Sequence, residues 1–170
     1  MLLSDGNQDV FITTNKGYGL WYHESEISVI GQRAAGVKAI QLKTDEYVVN
    51  GILMDELQEK RQIFITTQRG ACKRMSIDRF EKSSRAKKGL VMLRELKSKP
   101  HRIVGMELVE TNDVFELMTT KGEHHHVKPM ELPLSDRYSN GSYVIDTDLT
   151  GDVINIHKKP SLRKVFEQTT

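Results

Sequence analysis

A chain of 170 residues, 28% charged and 6% aromatic, describes a globular protein with an aromatic-poor core, at a length where one compact unit buries roughly 70% of its unfolded surface. No apolar run approaches the ~18 residues a membrane helix needs, and Met1-Leu2-Leu3-Ser4-Asp5-Gly6 lacks the basic and apolar regions of a signal peptide. The formal net charge of +2 hides a block, since residues 61–102 hold 13 Lys and Arg against 3 Asp and Glu. The single Cys72 makes no intrachain disulfide, which fits a reducing compartment, and a cytoplasmic protein with no membrane partner is expected.

In chain order, the first feature is Val10-Phe11-Ile12-Thr13-Thr14 followed by Asn15-Lys16-Gly17, a strand and its hairpin turn, with glycine supplying positive φ. The return strand is Leu20-Trp21-Tyr22. After a polar loop, Val37 to Leu42 alternates apolar and polar, and Tyr47 to Met54 supplies a fourth strand. The same order recurs as Ile63 to Thr67, Cys72 to Ile77, Leu90 to Leu93 and Ile103 to Val109. A third copy runs Phe115 to Thr119, His124 to Lys128, Tyr143 to Asp146 and Val153 to His157.

The copies keep phase. Gly17, Gly70 and Gly122 close the turns at spacings of 53 and 52, Arg33, Arg85 and Arg137 recur every 52, and Gly36, Gly89 and Gly141 follow at 53 and 52. A period near 50 built from short strands and glycine turns predicts propeller-like blades, one four-stranded sheet per repeat, over residues 7–57, 60–110 and 111–160, with a tail at 161–170. Helix is nearly unsupported, the one candidate being a turn or two at Met54 to Arg61. Three blades fall short of the four to eight that close typical propellers, so a fragment, an open array or part of an assembly is expected, a fragment missing N-terminal blades first among them.

Electrostatic attraction to phosphates needs only positive charge at roughly backbone spacing. Arg69 stands at a hairpin tip, Lys73 and Arg74 on the next strand, and Arg79, Lys82, Arg85, Lys87 and Lys88 in the long polar loop; Lys16 repeats the tip position, and Arg33 the loop marker. With Lys38 and Arg102 these are the candidate nucleic-acid contacts, and five of Arg69, Lys73, Arg74, Arg85, Lys87 and Lys88 are expected to form one continuous rim, since adjacent Lys73 and Arg74 face opposite ways on a strand. Few aromatics accompany them, which favours duplex backbone over stacked single strands. In His124-His125-His126 alternate residues face opposite ways, so at most His124 and His126 share an ion, and a surface strand is the expected reading, with no metal site. Phosphate-binding glycine loops, nucleophile elbows and zinc-protease motifs are absent. No catalytic residue is assigned, and Arg137-Tyr138 reads as loop.

Arg33-Ala34-Ala35-Gly36-Val37-Lys38, Ala71-Cys72-Lys73-Arg74, Lys99-Pro100-His101-Arg102-Ile103-Val104 and Asn140 to Asp148 resemble the C-terminal domain of the A subunit of bacterial type IIA topoisomerases, nearer to the topoisomerase IV branch of Gram-positive bacteria than to gyrase. The resemblance implies an all-β fold, the β-pinwheel, whose neighbouring blades exchange strands and whose rim binds and bends duplex DNA. It implies a non-catalytic module, with no cofactor of its own, that presents DNA to a topoisomerase core made of the rest of the A subunit together with the B subunit. ATP and Mg2+ serve that parent enzyme, which acts in relaxation and decatenation during chromosome segregation. Gyrase carries a Gln-Arg-Arg-Gly-Gly-Lys-Gly box for chiral wrapping, of which Gln32-Arg33-Ala34-Ala35-Gly36 keeps Gln, Arg and a glycine. The alternatives are a gyrase wrapping fragment and a kelch-like propeller that recruits an acidic protein.

Overall fold

The computed structural model describes residues 2–55 and 61–159, so the expected tail at 161–170 and most of the helix candidate at Met54 to Arg61 lie outside the described residues. Met54 and Asp55 themselves end a strand. The strands are β1 (Gln8–Thr14), β2 (Tyr18–His23), β3 (Val48–Asp55), β4 (Gln62–Thr67), β5 (Ala71–Ser76), β6 (Leu90–Val91), β7 (Ile103–Val109), β8 (Val114–Thr119), β9 (His124–Val127), β10 (Ser142–Tyr143) and β11 (Val153–Lys159). Helix among the described residues amounts to single turns and the four-residue α1 (Thr147–Thr150).

They form three antiparallel sheets, ordered β3-β1-β2-β6, β10-β5-β4-β7 and β11-β8-β9. Each sheet grows from the hairpin that the sequence marks: the N–H of Gly17, Gly70 and Gly122 donates to the carbonyl of Thr14, Thr67 and Thr119. Each glycine sits at positive φ, between 74° and 83°, where a β-carbon is strained.

The outer strands correct the expectation of one blade per repeat. The short third strands of the second and third repeats each pair with the blade before: β6 lies on β2 through Tyr18↔Val91 and Gly19↔Leu90, and β10 lies on β5 through Ser142↔Cys72 and Tyr143↔Ala71. Neighbouring blades therefore exchange strands, which defines the pinwheel. The third blade has three strands, not four. Val37 to Leu42, expected as a strand, is irregular because no preceding blade among the described residues receives it. Glycine packing records the difference. A β-carbon on Gly89 would stand 2.6 Å from the Gly19 carbonyl oxygen, whereas Gly36, its counterpart one repeat earlier, has nothing within 4 Å.

Two apolar layers hold the blades together. Phe11 packs with Ile63, Ile65, Met75 and Phe80 between the first and second sheets, and Phe64 packs with Phe115, Leu117 and Val127 between the second and third. Phe11 and Phe80 meet edge to face at 4.9 Å, and Phe64 stacks on Phe115 at 4.8 Å. Each buried phenyl ring contributes about 1.5–3 kcal/mol. One repeat after Phe11 and Phe64, the same position holds Glu116, whose carboxylate meets His124, His126 and Lys159. That position of the third blade is thus polar where the first two blades are apolar.

Candidate nucleic-acid interface

The hairpin-tip cations perform one local task in all three repeats. The side chains of Lys16, Arg69 and Lys121 donate to the carbonyls of Thr44 (2.6 Å), Lys99 (2.7 Å) and Leu149 (2.6 Å), each in the segment that leads into the last strand of its own repeat. The phased arginines are likewise tied. Arg85 donates to the carbonyls of Glu26 (2.9 Å) and Lys38, and Arg137 to that of Val91 (3.1 Å). Lys38 and Val91 each stand two residues after a phased glycine, so both arginines hold the third segment of the preceding repeat.

Lys73 is the one of the adjacent pair that turns inward from the expected rim. Its side chain is 1% exposed and its ammonium donates to the carbonyls of Met92, Asp136, Arg137 and Ser139 at 2.5–3.2 Å. Burial pulls its pKa down to about 8, against the pull of Asp136. The cause is register: strand alternation turns this lysine into the seam, where the donated loop of the third repeat offers carbonyls in place of water. Arg74, on the opposite face, donates to the Leu132 carbonyl (2.8 Å) and the Gln62 side chain (2.8 Å) and so also bridges blades. Lys82 pairs with the buried Asp9 at 2.7 Å and Arg102 with Glu95 at 3.2 Å. Arg33, Lys38, Arg79 and Lys87 are exposed.

One group of cations does converge. The loop that delivers β6 runs beside residues 38–43, joined to it by Ala86 N–H to the Ala39 carbonyl (2.9 Å), Gln41 N–H to the Lys87 carbonyl (2.8 Å) and the Arg85 contact with Lys38. This pairing sets Lys38, Lys43, Lys87 and Lys88 along two adjacent chains, with Lys16 bound to the neighbouring Thr44. Tyr18 lies among them, with the Lys88 ammonium 4.5 Å and the Lys43 ammonium 5.6 Å from its ring centroid. Hydrogen bonding to Lys88 is the main influence holding the phenol below its ordinary pKa. Lys43 and Tyr18 escape sequence reasoning. Lys43 is a lone cation in a polar stretch, and its nearness to Lys88 exists only because a strand crosses from the next repeat.

The second seam is electrostatically different. Arg69 lies 5.8 Å from the Tyr143 ring centre beside His101, in a groove of about 800 Å³ that Asp146, Asp148 and Asp152 also line. Burial, then the Arg69 charge, holds His101 below the ordinary histidine value. At the far end, His124 and His126 share the Glu116 carboxylate at 3.3 and 3.2 Å, as their common facing requires. Among the described residues no group of three or more His, Cys, Asp or Glu is arranged to hold a metal, and no helix is long and apolar enough to cross a membrane.

Three exchanging sheets with a basic seam define a propeller-like domain of the kind found in type IIA topoisomerases. The model of the DNA gyrase C-terminal domain, beta-propeller, matches residues 8–53 and 61–110, and the chain belongs to that family. It is 47% identical over 151 residues to the A subunit of DNA topoisomerase 4 from Bacillus subtilis (strain 168), a match covering 89% of this chain and 18% of that protein. The crystal structure of the C-terminal domain of DNA topoisomerase IV superimposes with a TM-score of 0.90 at 42% identity, over 99% of this chain and 53% of that one. A DNA gyrase A C-terminal domain shares the fold, with a TM-score of 0.77 at 16% identity over 91% of this chain and 51% of that one. The topoisomerase IV resemblance of the sequence and its all-β pinwheel fold thus stand.

Proposed function

We propose that this chain is a DNA-binding domain that grips duplex DNA by its phosphates, along the seam between the first two blades, and presents it to a topoisomerase core. The observation that carries the reading is the convergence of Lys38, Lys43, Lys87 and Lys88 on two adjacent segments, with Lys16 bound to the neighbouring Thr44, in a domain whose relatives are A subunits of topoisomerase IV. In this reading the domain performs no chemistry. Strand passage, ATP and Mg2+ belong to the rest of the A subunit together with the B subunit, and the setting is the cytoplasm during chromosome segregation. The contribution of the domain is position: a bound segment held at a fixed place raises the chance that the core meets a particular crossing.

Phosphate contacts fix register without reading bases, so binding is expected to vary little with sequence. The test is a titration of random-sequence duplex at a series of salt concentrations. Five lysine–phosphate contacts give a slope of about −4.5 in log affinity against log salt. A slope near zero, or binding confined to one sequence, would overturn the reading.

A further inference from the structure

We propose that Tyr18, Lys43 and Lys88 form a phosphodiester-binding subsite that strand exchange assembles, the Tyr18 hydroxyl donating to a phosphate oxygen flanked by the two ammoniums. This rests on the DNA-binding reading and names where and how one phosphate is held.

Three segments build the subsite, and each is fixed. The Thr14 hydroxyl accepts from the Tyr18 N–H at 3.3 Å and donates to the Glu46 carboxylate at 2.6 Å. The other oxygen of Glu46 accepts from the Lys43 N–H at 2.9 Å. One buried threonine and one buried glutamate, both under 10% exposed, therefore tie the Tyr18 strand to the Lys43 loop. Asn15 adds to the clamp, accepting from the Tyr47 N–H at 2.9 Å and donating to the Asp45 carbonyl at 3.3 Å. Lys88 arrives from the second repeat, seated by Gly89 against the Gly19 backbone and by the pairing of Leu90 with Gly19.

This is pre-organisation, the property that makes a polar contact worth more than its exposed counterpart. Both ammoniums lie on the Tyr18 side chain, and hydrogen bonding to Lys88 is the main influence on its phenol. The Tyr18 ring is half-buried beside both ammoniums, and its O–H can donate to an anion that they attract. A phosphodiester fits that arrangement, since it is a monoanion with two unesterified oxygens, one for the phenol and one for an ammonium.

The same register makes the subsite specific to one seam. One repeat on, Tyr18, Lys43 and Lys88 become Ala71, Ser98 and Asn140, and the neighbouring loop carries Asp146, Asp148 and Asp152. The second seam keeps the strand exchange and replaces the phenol and both ammoniums. A duplex following the rim is thus anchored where the first and second repeats interlock.

The experiment measures duplex affinity against salt for the full chain and for Tyr18→Phe, Lys43→Ala, Lys88→Ala and Asn140→Ala, with circular dichroism to confirm that each variant folds. Lys43→Ala and Lys88→Ala are each expected to reduce the magnitude of the salt slope by about 0.9. Tyr18→Phe removes a donor and no charge, so affinity falls about tenfold while the slope stays at the wild-type value. Asn140→Ala binds as wild type. Wild-type affinity in Tyr18→Phe, or an unchanged slope in either lysine variant, overturns the subsite while leaving the DNA-binding reading intact if the wild-type slope remains steep. A wild-type chain with no salt-dependent binding overturns both.

Discussion

The ammonium of Lys73 lies 2.7 Å from the carbonyl oxygen of Ser139, a residue 66 positions later that belongs to the next repeat. A single cation thus closes the second seam from within, by satisfying carbonyls of the loop that delivers β10. Its counterpart in the first repeat is Leu20, which packs apolar against Ile12, Tyr22 and Ile40.

Replacing Lys73 with Met keeps the length of the side chain but leaves the carbonyls of Met92, Asp136, Arg137 and Ser139 without their donor. The expected loss is about 3 kcal/mol, as for breaking a buried charged network. Urea unfolding followed by circular dichroism measures it; a loss under about 1 kcal/mol, the size of an exposed contact, would mean that the four carbonyls find other partners.

Strand donation predicts a contrast between two glycines of one register. Gly89→Ala places a β-carbon against the Gly19 backbone at φ +86°, whereas Gly36→Ala, at φ +93°, meets open space. Both variants bear the left-handed strain of about 1–2 kcal/mol, and the first adds overpacking of about 1–3 kcal/mol. Gly89→Ala is therefore the less stable in the same unfolding assay. Equal stabilities would argue that β6 does not seat on β2 in solution.

His101 makes stability depend on pH. Its ring meets the Thr67 hydroxyl at 3.0 Å, Arg69 at 3.3 Å and the Tyr143 hydroxyl at 3.3 Å. Burial and the Arg69 charge hold its folded pKa below the ordinary value of about 6.5. Between these two values the unfolded chain binds a proton that the folded chain does not. The contribution is present above pH about 6.5 and is lost as pH falls through the folded pKa. A melting temperature that drops from about pH 7.5 to about 5.5 in wild type, and drops less in His101→Gln, is expected.

The parts of this molecule written in local chemistry are legible in the sequence. Thr14, Thr67 and Thr119 with Gly17, Gly70 and Gly122 announce the hairpins, and Phe11, Ile63 and Phe115 lie in apolar runs that form core strands. The third segments are not legible, because two paired residues, Leu90-Val91 or Ser142-Tyr143, leave too little pattern to say which sheet they join. The same crossing hides the roles of the cations. Arg85 and Arg137 are visible as a phased marker, but the carbonyls they hold lie in the preceding repeat. Adjacent Lys73 and Arg74 announce that one of them turns inward, but only the register shows that it is Lys73 and that it enters a seam, and Lys43 carries no motif at all.

Whether DNA lies where the first two blades interlock is tested most directly by comparing two double variants in the salt titration. Lys87→Ala with Lys88→Ala removes two cations from the seam; Lys121→Ala with Lys128→Ala removes two from the third blade, where residues 104–157 carry 3 Lys and Arg against 10 Asp and Glu. The first pair is expected to reduce the magnitude of the slope by about 1.8 and to weaken all duplexes alike, and the second pair to change it by less than half as much. Equal losses at the two places would contradict a seam-bound duplex.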